Sequence, residues 1–141
     1  MRIAIINGPN LNLLGKREPH IYGTMSFEDY FNNLCDLFVG TELVYYQSNH
    51  EGSLIDYVQH EGFKAEGIII NAGGYSHTSI ALRDAIAAVS APAVEVHISN
   101  IIAREEFRHH SFLTDVCKAS IIGKGLDGYK QAIELLLNYE K

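Results

Sequence analysis

An α/β architecture on a parallel sheet is what this sequence predicts, and three observations carry that reading. Short apolar runs rich in Ile, Val and Ala recur along the 141 residues, each the length of a strand buried on both faces. Stretches of helical periodicity separate them, as crossovers between parallel neighbours require. Polar and basic residues gather just after the apolar runs end, where open α/β sheets bind their ligands.

Taken in order, Arg2 to Ile6 is the first predicted strand. Asn7 to Met25 is predicted to be a long loop, and loops of that length in compact domains are commonly lids or binding loops. Ser26, with Asp29 three residues on, resembles a capping box and opens a helix through Phe38. Leu43 to Gln47 reads as the second strand, and Leu54 to Glu61 as a helix stopped by Gly62. Gly67 to Asn71 is the third strand and runs into Ala72-Gly73-Gly74. Ser79 to Val89 is an Ala-rich helix ended by Ala91-Pro92. Ala93 to His97 and Ala119 to Ile122 are the fourth and fifth strands. A last helix runs from Leu126 to Tyr139, with Leu126, Tyr129, Ile133, Leu136 and Leu137 on one stripe. This alternation predicts a flavodoxin-like sheet of five strands in a single domain over residues 1–141. Such a fold does not by itself specify a function.

Composition narrows the class. Hydrophobic content of 47% with 20% charged residues is ordinary for a soluble globular protein. A net charge of −6 without a basic stripe argues against nucleic acid or an anionic membrane as partner. No apolar run approaches the ~20 residues of a membrane span, and the N-terminus opens on a strand without a signal-peptide pattern. Cys35 and Cys117 lack metal or C-x-x-C spacing and are expected to be buried, reduced thiols. The expected compartment is the cytosol.

The chemistry-bearing residues follow the strands. Asn7, Asn10, Arg17 and Tyr22 come after the first, Asn71 and His77 at and after the third, and Glu95 and His97 at the end of the fourth. Ser99, Asn100, Arg104 and Arg108 come next, so three of the five arginines sit in these loops of an acidic chain. An anionic small molecule suits that placement. Tyrosine titrates near ~10, and a cation close by depresses it by ~1–3 units, so Arg17 could help make Tyr22 a base. An exposed Arg beside a Tyr that packs on Pro19 is an equally open reading. Glu95 and His97, at i and i+2 of a strand, project to one face, where Glu95 can orient His97 and favour its protonated form. A purely structural Glu–His pair is the alternative. His109-His110 with Glu105 and Glu106 is expected to be a solvated turn rather than a metal site, because adjacent histidines diverge. Gly73-Gly74 matches no phosphate-loop pattern and reads as a tight turn that lets a substrate approach the backbone.

Along nearly its whole length the chain resembles the type II 3-dehydroquinate dehydratases. The carrying motifs are Ile6-Asn7-Gly8-Pro9-Asn10-Leu11-Asn12, Arg17-Glu18-Pro19 through Tyr22-Gly23, and Gln47-Ser48-Asn49-His50-Glu51-Gly52. Asn71-Ala72-Gly73-Gly74 through His77-Thr78-Ser79 and Leu82-Arg83-Asp84 follow. Glu95-Val96-His97-Ile98-Ser99-Asn100, Arg104 through Arg108, and His110-Ser111 complete them. His20 departs from the resemblance, since the family often has an acidic or small residue there.

The resemblance implies a shikimate- or quinate-pathway enzyme that removes water from 3-dehydroquinate by anti elimination through an enolate. It implies Tyr22 as proton acceptor, Arg17 as stabiliser of the tyrosinate and transition state, and His97, oriented by Glu95, as proton donor to the leaving hydroxyl. Asn10 would hold a water at the enolate oxygen, with no metal or cofactor. The substrate carboxylate would lie on the N–H groups of Ile98 and Ser99, the Ser99 hydroxyl and Asn71. His77 and Arg108 would bind ring hydroxyls, and Arg104 would add positive potential. A carboxylate matching Asp84 reaches a neighbouring subunit's site in the family, whose trimers assemble into a homododecamer. Ala81, Ala85 and Ala88 would permit close approach of that neighbour, or simply pack on the parent sheet. Two other classes stay open from residues alone: a flavin-binding electron carrier, which would want a Ser/Thr-rich loop after the first strand, and a non-catalytic ligand-binding module. The type I dehydratase barrel, typically ~250 residues, is too large for this chain.

Overall fold

Strands form where β-branched and small apolar residues run together, and each ends where polar residues must reach solvent or a ligand. The computed structural model describes residues 1–16 and 18–139. Arg17, Glu140, Lys141 and the side chain of Tyr22 lie outside that description, and with them the expectations placed on Arg17 and the Tyr22 hydroxyl. Five parallel strands are β1 (Arg2–Asn7), β2 (Glu42–Gln47), β3 (Gly67–Asn71), β4 (Ala93–His97) and β5 (Ala119–Ile122). Their order, β2-β1-β3-β4-β5, is the flavodoxin-like one. Its switch point lies between β1 and β3, beside which sheets of this kind form a ligand-binding crevice.

Helices cover both faces. They are α1 (Pro19–Tyr22), α2 (Phe27–Leu37), α3 (Glu51–Glu61), α4 (Ile80–Ala88) and α5 (Asp127–Leu137). Side-chain alternation sends Ile3, Ile5, Ile69, Val94 and Val96 toward α2 and α5, where they meet Phe27, Leu34, Tyr129 and Ile133. Ile6, Ile68, Ile70 and Ala93 point the other way, onto Leu54 and Val58 of α3 and Leu82 and Ile86 of α4. Each fully buried aliphatic contributes roughly 1.5–3 kcal/mol. The two clusters cover the sheet on both faces beneath the site.

The expected strands stand, with β1 one residue longer and β2 opening at Glu42. The long Asn7–Met25 connection is not bare loop: it carries a 3₁₀ turn at Leu11–Leu13 and the one-turn α1, opened by Pro19 and closed by Gly23 at φ 83°. Ser26 does cap α2, its hydroxyl accepting from Asp29 N–H at 3.2 Å. Helix α3 begins at Glu51 rather than Leu54, since Gly52 is tolerated in a first turn. In α5, Tyr129, Ile133 and Leu136 are buried, but Leu137 is exposed, rotated one position off the stripe. Both cysteines are half-buried free thiols rather than fully buried ones.

Candidate active site

The first wall of the crevice comes from the β1 loop. Gly8 donates its N–H to the Asn71 carbonyl at 2.7 Å, and a Cβ on Gly8 would sit 2.3 Å from the Ala72 oxygen, so no side chain fits. Close contact of the β1 and β3 loops brings Asn10 to the cavity edge, at φ 70° in the left-handed region.

Beneath the cavity, Asn7 and Asn71 are register partners at the ends of β1 and β3. The Tyr129 hydroxyl, fully buried on α5, donates to Asn7 Oδ1 at 2.8 Å and accepts from Asn71 Nδ2 at 3.0 Å. Burial pushes that phenol far above its ordinary value, so it acts as a neutral donor and acceptor. Asn71 Oδ1 accepts from Gly73 N–H at 3.2 Å. One amide hydrogen of Asn71 is left for a ligand.

The β4 end carries the acid–base pair. His97 Nε2 lies 2.7 Å from Glu95 Oε2, and Glu95 is fully buried. A carboxylate only accepts, so Nε2 bears the proton and Nδ1 is the ring nitrogen left for the cavity. Three hydroxyls also donate to Glu95: Ser111 to Oε2, Thr114 to Oε1 at 2.8 Å and Ser120 to Oε1 at 2.7 Å. Burial alone would raise the Glu95 carboxyl. The His97 hydrogen bond and charge, with the Ser111 and Ser120 hydroxyls, outweigh it and hold the group at about 2. Glu95 is therefore an anion at neutral pH, and it orients His97.

His77 stacks 6.1 Å from His97 with the rings inclined by 27°. Its Nδ1 donates to the His110 carbonyl at 2.7 Å, leaving Nε2 free to accept. Burial first, then the charges of His97 and Arg108, hold His77 below the usual imidazole value. Arg104 lies 3.3 Å from the Ser99 hydroxyl and 3.9 Å from Glu18. Arg108 bonds Glu105 at 2.9 Å, with its guanidinium 4.9 Å from the centre of the Phe107 ring.

These loops enclose a cavity of about 190 Å³. Asn10, Asn71, His77, His97, Ile98, Ser99, Arg104 and Arg108 line it, so eight of the predicted site residues converge, with Glu95 directly behind His97. An anion-binding rim of arginines, neutral amides and a hydroxyl beside an imidazole suits proton transfer on a small anionic molecule. Among the described residues, no group of three or more His, Cys, Asp or Glu is placed to hold a metal ion. The family model for dehydroquinase class II matches residues 1–137. The chain belongs to that family.

The likeness to individual class II dehydroquinases and their relatives is correspondingly high. A 3-dehydroquinate dehydratase from Exiguobacterium sp. is 54% identical over 140 residues, covering 99% of this chain and 96% of its own. A catabolic 3-dehydroquinase from Penicillium rubens is 48% identical over 142 residues, covering 99% and 92% respectively. The crystal structure of the type II dehydroquinase from Butyrivibrio crossotus superposes with a TM-score of 0.93 at 49% identity, covering 98% of both chains.

Asp84 is exposed on α4 and does not line this chain's own cavity. Of the alanines, Ala85 packs into the core beside the sheet, while Ala81 and Ala88 are exposed. Thr114, Ser120 and Tyr129 escaped sequence reasoning as site residues. Ser120 alternates with apolar neighbours on β5, but only the register reveals that it faces Glu95.

Proposed function

We propose that this dehydroquinase removes water reversibly from 3-dehydroquinate to give 3-dehydroshikimate, by anti elimination through an enolate. The observation that carries the reading is the buried Glu95–His97 pair facing a cavity rimmed by Arg104, Arg108 and Ser99. Tyr22, held as tyrosinate by Arg17, takes the proton beside the ketone. Asn10 positions a water against the developing enolate oxygen, where a donor fixed in advance is worth most. His97 protonates the departing hydroxyl through Nδ1 while Glu95 stabilises its imidazolium form.

The substrate carboxylate occupies the Ile98 and Ser99 N–H groups, the Ser99 hydroxyl and the remaining amide hydrogen of Asn71. His77 accepts from a ring hydroxyl at Nε2, Arg108 donates to another, and Arg104 adds positive potential. The chain works as one catalytic domain without a cofactor, in the cytosol, as a homododecamer, a tetramer of trimers, in which Asp84 enters the neighbouring subunit's site. Support for that last role is the exposure of Asp84 between Ala81 and Ala88.

An ultraviolet assay for enone formation from 3-dehydroquinate, with nothing else added, tests the reading. Activity is expected to survive both EDTA and borohydride treatment in the presence of substrate. Loss on chelation, restored by a divalent ion, would overturn the metal-free mechanism.

A further inference from the structure

Gln47-Ser48-Asn49-His50-Glu51-Gly52 carries part of the family likeness, yet none of the roles above uses it. It begins at the last residue of β2 and lies beside the loop that carries Asn10. Asn10 is one of only two non-glycine residues at positive φ among those described, a conformation rare for a side-chain-bearing residue. Its backbone N–H donates to Asn49 Oδ1 at 2.9 Å. Because a backbone N–H can only donate, Asn49 must present its carbonyl oxygen. Gln47 meets that same oxygen with Nε2 at 3.2 Å, and the same nitrogen reaches the Gly8 carbonyl at 3.1 Å. The three groups are mutually consistent: flipping either amide would set oxygen against oxygen or donor against donor.

The clamp is itself anchored. The Asn49 backbone carbonyl accepts the Tyr75 hydroxyl at 3.0 Å, and Ser48 Oγ accepts the His50 N–H at 3.0 Å as α3 begins. On its other side the Asn10 loop is pinned to β3 through Gly8 and Asn71. Asn49 is exposed, so its bond to Asn10 competes with water and adds little to global stability. What it controls is local backbone geometry.

We propose that Gln47 and Asn49 are positioning residues for the dehydration: their amides clamp the Asn10 backbone in the left-handed conformation that places Asn10 in the cavity wall. The inference rests on the role proposed for Asn10 at the enolate.

The test is a double-mutant cycle of Asn49→Ala and Asn10→Ala, read as kcat and KM for 3-dehydroquinate, with melting temperatures and a crystal structure of Asn49→Ala. Displacement of a catalytic group by about 1 Å can cost ~100-fold, so Asn49→Ala is expected to lower kcat by ~10–100-fold with KM within about threefold. The double variant should fall within about threefold of Asn10→Ala, because both changes disable one group. Melting should barely move, and Asn10 should leave the left-handed region in the crystal. Asn49→Asp keeps the acceptor for both donors and should retain more kcat than Asn49→Ala, while Gln47→Glu removes the donor and should lose kcat as Asn49→Ala does. Multiplicative losses in the cycle, a loss confined to KM, or Asn10 unmoved in the Asn49→Ala crystal would overturn the clamp. If Asn10→Ala loses kcat while Asn49→Ala does not, only the positioning fails. If Asn10→Ala keeps its kcat, the role proposed for Asn10 fails and the clamp's catalytic meaning goes with it.

Discussion

Ser120 stands directly opposite Glu95 in the β4–β5 register, and its hydroxyl donates to Glu95 Oε1 at 2.7 Å. The edge strand thus supplies a hydrogen bond to a carboxylate buried on its neighbour. With Thr114, Ser111 and His97, it surrounds Glu95 with donors, and that arrangement makes a buried anion sustainable.

Stability should depend on pH through Glu95. Its carboxyl drops from 4.5 to about 2 on folding, despite burial, because His97 and the hydroxyls favour the anion. The unfolded chain therefore binds more protons between those values, so the stabilisation is present above pH ~4.5 and is lost as pH falls toward ~2. Calorimetry from pH 7 to pH 3 should show the wild-type melting temperature falling more steeply than that of Glu95→Gln. Glu61, also depressed chiefly by its Arg2 hydrogen bond, contributes to both proteins and cancels. Parallel slopes would mean that Glu95 is not the anion described.

His97→Ala should suppress kcat severely, whereas Ser99→Ala should chiefly raise KM. The leaving group's charge, which His97 meets, develops only in the transition state, while Ser99 faces a carboxylate present throughout. Steady-state kinetics separates the two. Losses confined to KM in both variants would contradict the assignment.

Tyr22→Phe should remove nearly all turnover and leave binding of a substrate analogue within roughly tenfold, about 1.4 kcal/mol. The ring is kept and only the proton-accepting oxygen goes. Arg17→Lys should be nearly as damaging, because an ammonium is more strongly hydrated and lacks the planar fork. Retention of more than about a tenth of wild-type kcat in Tyr22→Phe, a barrier change below ~1.4 kcal/mol, would exclude Tyr22 as the base.

Tyr129→Phe should destabilise the fold by roughly 1–3 kcal/mol, since it leaves Asn7 Oδ1 and Asn71 Nδ2 buried without their shared partner. Asn71 also loses the bond that aims its amide, so KM should rise more than kcat falls. Urea denaturation and kinetics on one preparation check both. An unchanged KM would confine the hydroxyl to a structural role.

The strand–helix alternation from Ile3 to Leu136 was legible because burial on both faces demands uninterrupted apolar runs and one-sided cover demands helical stripes; both are local in sequence. Glu95 and His97 were legible for the same reason, since residues two apart on a strand share a face whatever surrounds them. Tertiary structure alone decided the donors of Glu95, because Ser111, Thr114 and Ser120 lie 16 to 25 residues away; Ser120 meets it through strand register, and Ser111 and Thr114 through the connection that leads into β5. It likewise decided that Tyr129, read as one more core residue of α5, bridges two asparagines at a separation of up to 122 residues. Leu137 shows the converse error: a stripe counted on an ideal helix ran one residue past the surface that the sheet covers. Periodicity is a property of neighbours along the chain. The distant hydrogen-bond partners are a property of neighbours in space, and in a parallel sheet a neighbouring strand is at least one crossover away.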